Sequence, residues 1–144
     1  MQYPPPTQSD RPPGQHLLVY DGGCGFCVVA VRRMRRRARV ALELLSFDEA
    51  ARRGGLLTAL DLADVRRCAH YITPAGVEYH GGAAVTRALR LGGGAWAFAL
   101  LDRPPLSVAR DVLYGLVARH RRRLARFAGA EACAIDARAS EARD

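Results

Sequence analysis

The sequence predicts one α/β domain: a βαβ unit, then a β-hairpin and a helix, with a helical pair appended on the C-terminal side. Three observations carry this. Apolar runs of strand length, "HLLVY" (His16 to Tyr20) and "VALELLSF" (Val40 to Phe47), lie on either side of a segment whose apolar positions recur with helical period. "AHYIT" and "VEYH" flank Pro74-Ala75-Gly76, a turn tripeptide that joins two strands. At 144 residues, about half of them apolar, the chain suits one buried core and not two.

Taken in order, residues 1–15 contain five prolines and no apolar core of a secretory signal, so they are expected to be a flexible, PPII-leaning, disordered tail. The first strand ends at Asp21-Gly22-Gly23, a turn. From Cys24 onward Cys27, Val31, Met34 and Ala38 fall on one helical stripe, and the arginines from Arg32 to Arg39 take the remaining surface. Residues Asp48 to Ala63 read as helical, divided at Gly54-Gly55. The hairpin spans Cys68 to Gly81, and "GAAVTRALRL" (Gly82 to Leu91) makes a short helix. After a Gly-rich joint and Pro104-Pro105, Leu106 to Phe127 forms a long amphipathic helix. Its expected inner stripe is Ala109, Val112, Leu113, Leu116, Val117, Leu124 and Phe127. Residues 128–144 lack a sustained pattern and read as a loose tail, which leaves 16–127 as the domain. A βαβ unit followed by a hairpin and a helix is the core layout of a three-layer, thioredoxin-like fold.

Formal charge is +8, and all 22 basic residues are arginine. A total lack of lysine reflects codon usage in a GC-rich genome as readily as a functional demand, which counts against nucleic acid as the partner. The runs Arg32 to Arg39 and Arg119 to Arg123 read as solvated helix faces. The longest dense apolar patch, "AWAFALL" (Ala95 to Leu101), is under half a membrane span, so no membrane association is expected. Without an export signal the expected compartment is the cytoplasm, where a CxxC pair is catalytic or metal-binding more often than a structural staple.

That pair, Cys24 and Cys27, sits in "YDGGCGFC" at the carboxyl end of the first strand and the amino end of the first helix, where open α/β sheets place reactive groups. Free N–H groups and the positive end of the helix dipole favour a thiolate there. Cys24 is expected to be exposed and to attack; Cys27, a turn later on the core stripe, is expected to be sheltered and to resolve. Gly25 and Phe26 offer the sulfur no donor, and the nearest arginine is expected to be Arg32, two turns beyond Cys24, so a middling to reducing couple is expected. Zinc is the competing reading, with Cys68, His70, His80, His120 and Cys133 as further ligands, but a second CxxC or HxxxH clip is absent. Inert core cysteines are the third. Asp21 is either a base serving Cys27 or a cap on the N–H of Gly23 or Cys24, with the cap preferred. Gly22 and Gly23 meet the backbone demands of the turn. Cys68 reads as a small core filler, with an approach to the active pair as the alternative.

"YDGGCGFC" resembles the signature of the DCC family of thiol-disulfide oxidoreductases, named for an Asp and two Cys, here Asp21, Cys24 and Cys27. "HYITPAGVEYHGGAAVTRAL" is similar to that family's strand-turn-strand and helix start. "YGLVARHRRRL" is similar to its C-terminal signature through Tyr114, Val117, Ala118 and Arg121, with His120 where Asn is common. The resemblance covers about residues 16 to 127. It implies a thioredoxin-like fold and dithiol-disulfide exchange with no cofactor and no metal. The partners would be a protein or small-molecule disulfide and a thiol reductant. The cis-proline that thioredoxins carry before the strand facing the CxxC has no counterpart here, where Arg67-Cys68-Ala69 stand. The alternative reading is a non-enzymatic metal-binding or arginine-rich module on the same scaffold.

Overall fold

The computed structural model describes residues 5–9, 12–54 and 67–127. Its elements are β1 (Thr7–Gln8), β2 (His16–Tyr20), α1 (Gly25–Arg37), β3 (Leu42–Ser46), α2 (Phe47–Arg53), β4 (His70–Ile72), β5 (Val77–His80), α3 (Gly81–Arg90), α4 (Ala95–Leu100) and α5 (Leu106–Phe127). The sheet order is β1-β5-β4-β2-β3, and β2 with β3 is its parallel pair. The βαβ unit, hairpin and following helix stand as expected, with the helical pair α4 and α5 after them. Part of the stretch set aside as a disordered tail is instead structured: Thr7 and Gln8 pair antiparallel with Glu78 and Val77, and Ser9 is buried.

β2 lies at the centre because three consecutive apolar residues, Leu17, Leu18 and Val19, alternate between two buried faces. Leu18 joins Val31 of α1, Leu42, Tyr71, Ala84 and Ala88 on one face. Leu17 and Val19 join Leu45, Phe47, Ala50 and Ile72 on the other. α2 starts immediately after β3 through a capping box, in which Ser46 Oγ accepts from the Glu49 N–H and Glu49 accepts from the Ser46 N–H. It ends at Gly54, whose φ of 61° no β-carbon residue favours. The rest of the predicted helical stretch, Gly55 to Ala63, and the tail 128–144 with Cys133 lie outside the described residues.

α5 has the expected bounds but presents a different face inward. Ala109, Val112, Leu113 and Leu116 from the expected stripe are exposed, whereas Arg110, Asp111, Tyr114, Val117, Ala118 and Arg121 turn toward the body of the domain. The reason is electrostatic. Asp102, in the α4–α5 loop, accepts from Arg110 and Arg90 and from Thr86 Oγ1 at 3.2 Å, which fixes α3 and α5 around one carboxylate. The helix is rotated to make those bonds, and part of its apolar stripe faces outward. In α1 the expected stripe does face inward: Val31 is buried, and Met34 and Ala38 pack, partly buried, against the same cluster, while Gly25 and Val28 join Val31 as the most buried positions. Arg33, Arg35, Arg36 and Arg37 are exposed on α1, with the last three in its final turn, where they complement the helix dipole. No described helix is long and apolar enough to cross a membrane.

Candidate functional site

The loop from β2 to α1 brings Asp21, Gly22, Gly23, Cys24 and Cys27 to one end of the sheet. It turns tightly: the Cys24 N–H donates to the Asp21 carbonyl at 3.2 Å, and Asp21 Oδ1 accepts from the Gly23 N–H at 3.0 Å. Gly22 passes close to the end of β3, where an added β-carbon would stand 3.1 Å from Ser46 Cβ. Cys24 is the N-cap of α1, with extended backbone (φ −105°, ψ 103°) and its sulfur in the acceptor position that Ser or Asp usually fills.

Two donors converge on that sulfur. The Cys27 N–H lies 3.4 Å from Cys24 Sγ and the Cys27 thiol 2.8 Å from it. Both cysteines are free. The Cys27 thiol is pushed up to about 12, first by burial, then by the hydrogen bond to Cys24 and the charge Cys24 can carry; Asp21 adds to the rise and Arg121 opposes it. The exposures reverse the expectation. Cys24 is buried, with 7% of its surface exposed, while Cys27 is half-buried. Cys24 is tucked at the start of the helix, on a polar hollow shared with Asp48, Arg121 and Arg122. Cys27 opens on an apolar cavity of about 320 Å³ between α1 and α5, walled by Phe26, Met34, Tyr114 and Val117 among others.

Arg121 is the residue that reading along α1 missed. It comes from α5, where its guanidinium meets Asp21 Oδ2 at 3.0 Å, and it lines both hollows. Both carboxylate oxygens of Asp21 are therefore engaged, one with the Gly23 N–H and one with Arg121, which is the arrangement of a cap and charge partner. The one clue in the sequence was Arg121's place in "YGLVARHRRRL".

Ala69, immediately before β4, lines the same apolar cavity as Cys27. Its N–H donates to the Tyr114 hydroxyl at 2.8 Å, and its carbonyl accepts from the Gly81 N–H at 2.9 Å. Cys68 is buried, its sulfur 3.9 Å from His70 Nε2. Among the described residues, the side chains that converge as metal ligands do are His70, Glu78 and His80, not the cysteines.

A family model described as DCC1-like thiol-disulfide oxidoreductase matches residues 18–127, from the middle of β2 to the end of α5. No curated protein and no solved structure matches the chain.

Proposed function

Because the chain belongs to the DCC1-like thiol-disulfide oxidoreductase family, a thioredoxin-like one, we propose that Cys24 and Cys27 carry out dithiol-disulfide exchange, Cys24 attacking and Cys27 resolving. The observation that supports this order is the asymmetry of the pair: Cys24 Sγ accepts from both the N–H and the thiol of Cys27, whereas the Cys27 thiol is pushed up to about 12. The first negative charge therefore belongs on Cys24, held by the helix N-terminus.

The Cys24 thiolate attacks one sulfur of a substrate disulfide. The substrate S–S bond breaks, a Cys24–substrate disulfide forms, and the other substrate sulfur leaves as thiolate. Attack then activates the second cysteine. Two of the causes that raise the Cys27 thiol, the hydrogen bond to Cys24 and the Cys24 charge, vanish when Cys24 is covalently engaged. Burial and Asp21 remain, opposed by Arg121. Cys27 gives up its proton to solvent and attacks Cys24 Sγ. The mixed disulfide breaks, the substrate leaves fully reduced as two thiols, and the Cys24–Cys27 bond holds the two oxidising equivalents. A thiol reductant resets it.

The half-buried Cys27 and the apolar cavity beside it suit a substrate with an apolar body next to its sulfur. Ala69, with its N–H and carbonyl both bonded within the domain, is poorly placed to pair with a substrate backbone. A Cys24→Ser protein is expected to lose exchange with a chromogenic aryl disulfide, and Cys27→Ser to stall as a Cys24-linked mixed disulfide visible in the intact mass. Full exchange by Cys24→Ser refutes the proposal.

A further inference from the structure

The hairpin carries a second cluster that the dithiol chemistry leaves unused. On the sheet face that holds Leu17, Val19 and Ile72, His70 of β4 stands in register with His80 of β5, and Glu78 lies diagonally between them, opposite Ile72. All three are deeply buried, at 2%, 5% and 0% exposure. Their donor atoms point at a common centre. His70 Nδ1 is 2.7 Å from Glu78 Oε1 and 3.2 Å from His80 Nδ1, and His80 Nδ1 is 3.9 Å from Glu78 Oε1.

A triangle with those sides has a circumradius of about 2.0 Å, which is the bond length of zinc to imidazole nitrogen or carboxylate oxygen. An ion at that centre would lie in the plane of the three atoms, and side-chain shifts of about half an ångström, lengthening the 2.7 Å side and shortening the 3.9 Å one, open the trio to the tetrahedral geometry zinc takes. The outer ring nitrogens are positioned as second-sphere contacts to metal-bound histidines usually are: His80 Nε2 is 3.4 Å from Thr7 Oγ1, and His70 Nε2 is 3.9 Å from Cys68 Sγ. A buried carboxylate is compensated by a cation or by a shared proton, and this one has two ring nitrogens beside it that cannot both carry a proton toward the centre.

We propose that His70, Glu78 and His80 form a buried site for a divalent ion of the zinc type, with water in the fourth position. The N,N,O donor set disfavours calcium and magnesium, which take all-oxygen shells of higher coordination, and the small radius also excludes calcium. The ion clamps β4 to β5 and, through Thr7, holds the edge strand β1. It stands one ring away from the dithiol, since Phe47 meets His70 edge-on, with 6.1 Å between ring centroids, and also lines the hollows at Cys24 and Cys27.

The test uses the full chain carrying Cys24→Ser and Cys27→Ser, so that the CxxC cannot supply the ligands. Equilibrated with zinc sulfate and desalted, it is expected to retain one equivalent of zinc by elemental analysis and to melt several degrees higher than its metal-free form. Cobalt(II) is expected to give visible tetrahedral bands without a thiolate charge-transfer band. Adding Glu78→Gln, nearly isosteric, should abolish retention, and adding Thr7→Val should weaken zinc binding roughly 10- to 100-fold. Should the Glu78→Gln chain fail to fold, the cobalt spectrum and Thr7→Val decide. The proposal is overturned if the chain lacking the Cys24 and Cys27 thiols holds no stoichiometric metal, if a thiolate band appears, which would place Cys68 or Cys133 on the ion, or if Thr7→Val or a folded Glu78→Gln binds zinc unchanged. None of these readouts depends on whether the dithiol turns over.

Discussion

Replacing Arg121 with glutamine tests how the domain activates Cys27. The change deletes the guanidinium 3.0 Å from Asp21 Oδ2 and leaves Asp21, which raises the Cys27 thiol, without its opposing charge. Two unit charges on the order of 8 Å apart interact by about 2 kcal/mol at an effective dielectric near 20, which sets the scale for such a neighbour. The site opens to solvent on one side, and halving the figure for screening gives about 1 kcal/mol, or roughly a 5-fold loss of Cys27 thiolate in the mixed disulfide. The assay is single-turnover reaction of the reduced protein with a chromogenic aryl disulfide, in which the first chromophore released reports attack and the second reports closure of the Cys24–Cys27 bond. The second phase of Arg121→Gln should slow about 5-fold with the first phase changed less, and Arg121→Lys should restore most of the loss. Asp21→Asn, which keeps an acceptor for the Gly23 N–H, should speed the second phase. If the second phase of a folded Arg121→Gln protein is unchanged, or Asp21→Asn slows it as loss of a general base would, the electrostatic account is wrong.

Tyr114→Phe removes the hydroxyl that receives the Ala69 N–H. It should cost about 1–2 kcal/mol of stability in urea titration, with little effect on attack by Cys24. Gly76→Ala places a β-carbon 2.8 Å from Gln8 Nε2 and 3.1 Å from Pro12 Cγ at a φ of 89°. A loss of about 1–3 kcal/mol and a lowered melting temperature are expected. Glu43 accepts from Arg53 and Gln15, and the Arg53 hydrogen bond holds its carboxyl below the usual 4.5. With the folded-state value depressed, its stabilisation is present above the unfolded-state value and is lost as pH falls through the folded one. The stability gap between the native chain and Glu43→Gln should therefore close on acidification from neutrality to about pH 3; a gap that is constant with pH contradicts the assignment.

Local pattern was enough to find β2, the hairpin turn at Pro74-Ala75-Gly76, the full extent of α5 and the placing of Cys24 at a helix start. Each is written in consecutive residues. The misread features depend on residues far apart in the chain. Thr7 and Gln8 have no strand signature, and they form one because β5 offers an unpaired edge. The inward face of α5 is set by Arg110 finding Asp102 and Arg121 finding Asp21, so an apolar stripe alone pointed the wrong way. The reversed burial of the two cysteines has the same origin, since the hollow beside Cys24 is lined by α5 through Arg121, Arg122 and Ala125. His70, Glu78 and His80 were visible in "HYITPAGVEYH", but only the hairpin register makes neighbours of them.

The salt link from Asp21 in the β2–α1 turn to Arg121 on α5 also has a consequence during synthesis. The dithiol leaves the ribosome before the segment bearing Arg121 does. Until it does, both sulfurs are unroofed and lack their arginine, so a growing chain is more open to stray oxidants than the finished one. Arresting translation before α5 should leave Cys24 and Cys27 quickly alkylated, and release of the completed domain should protect Cys24.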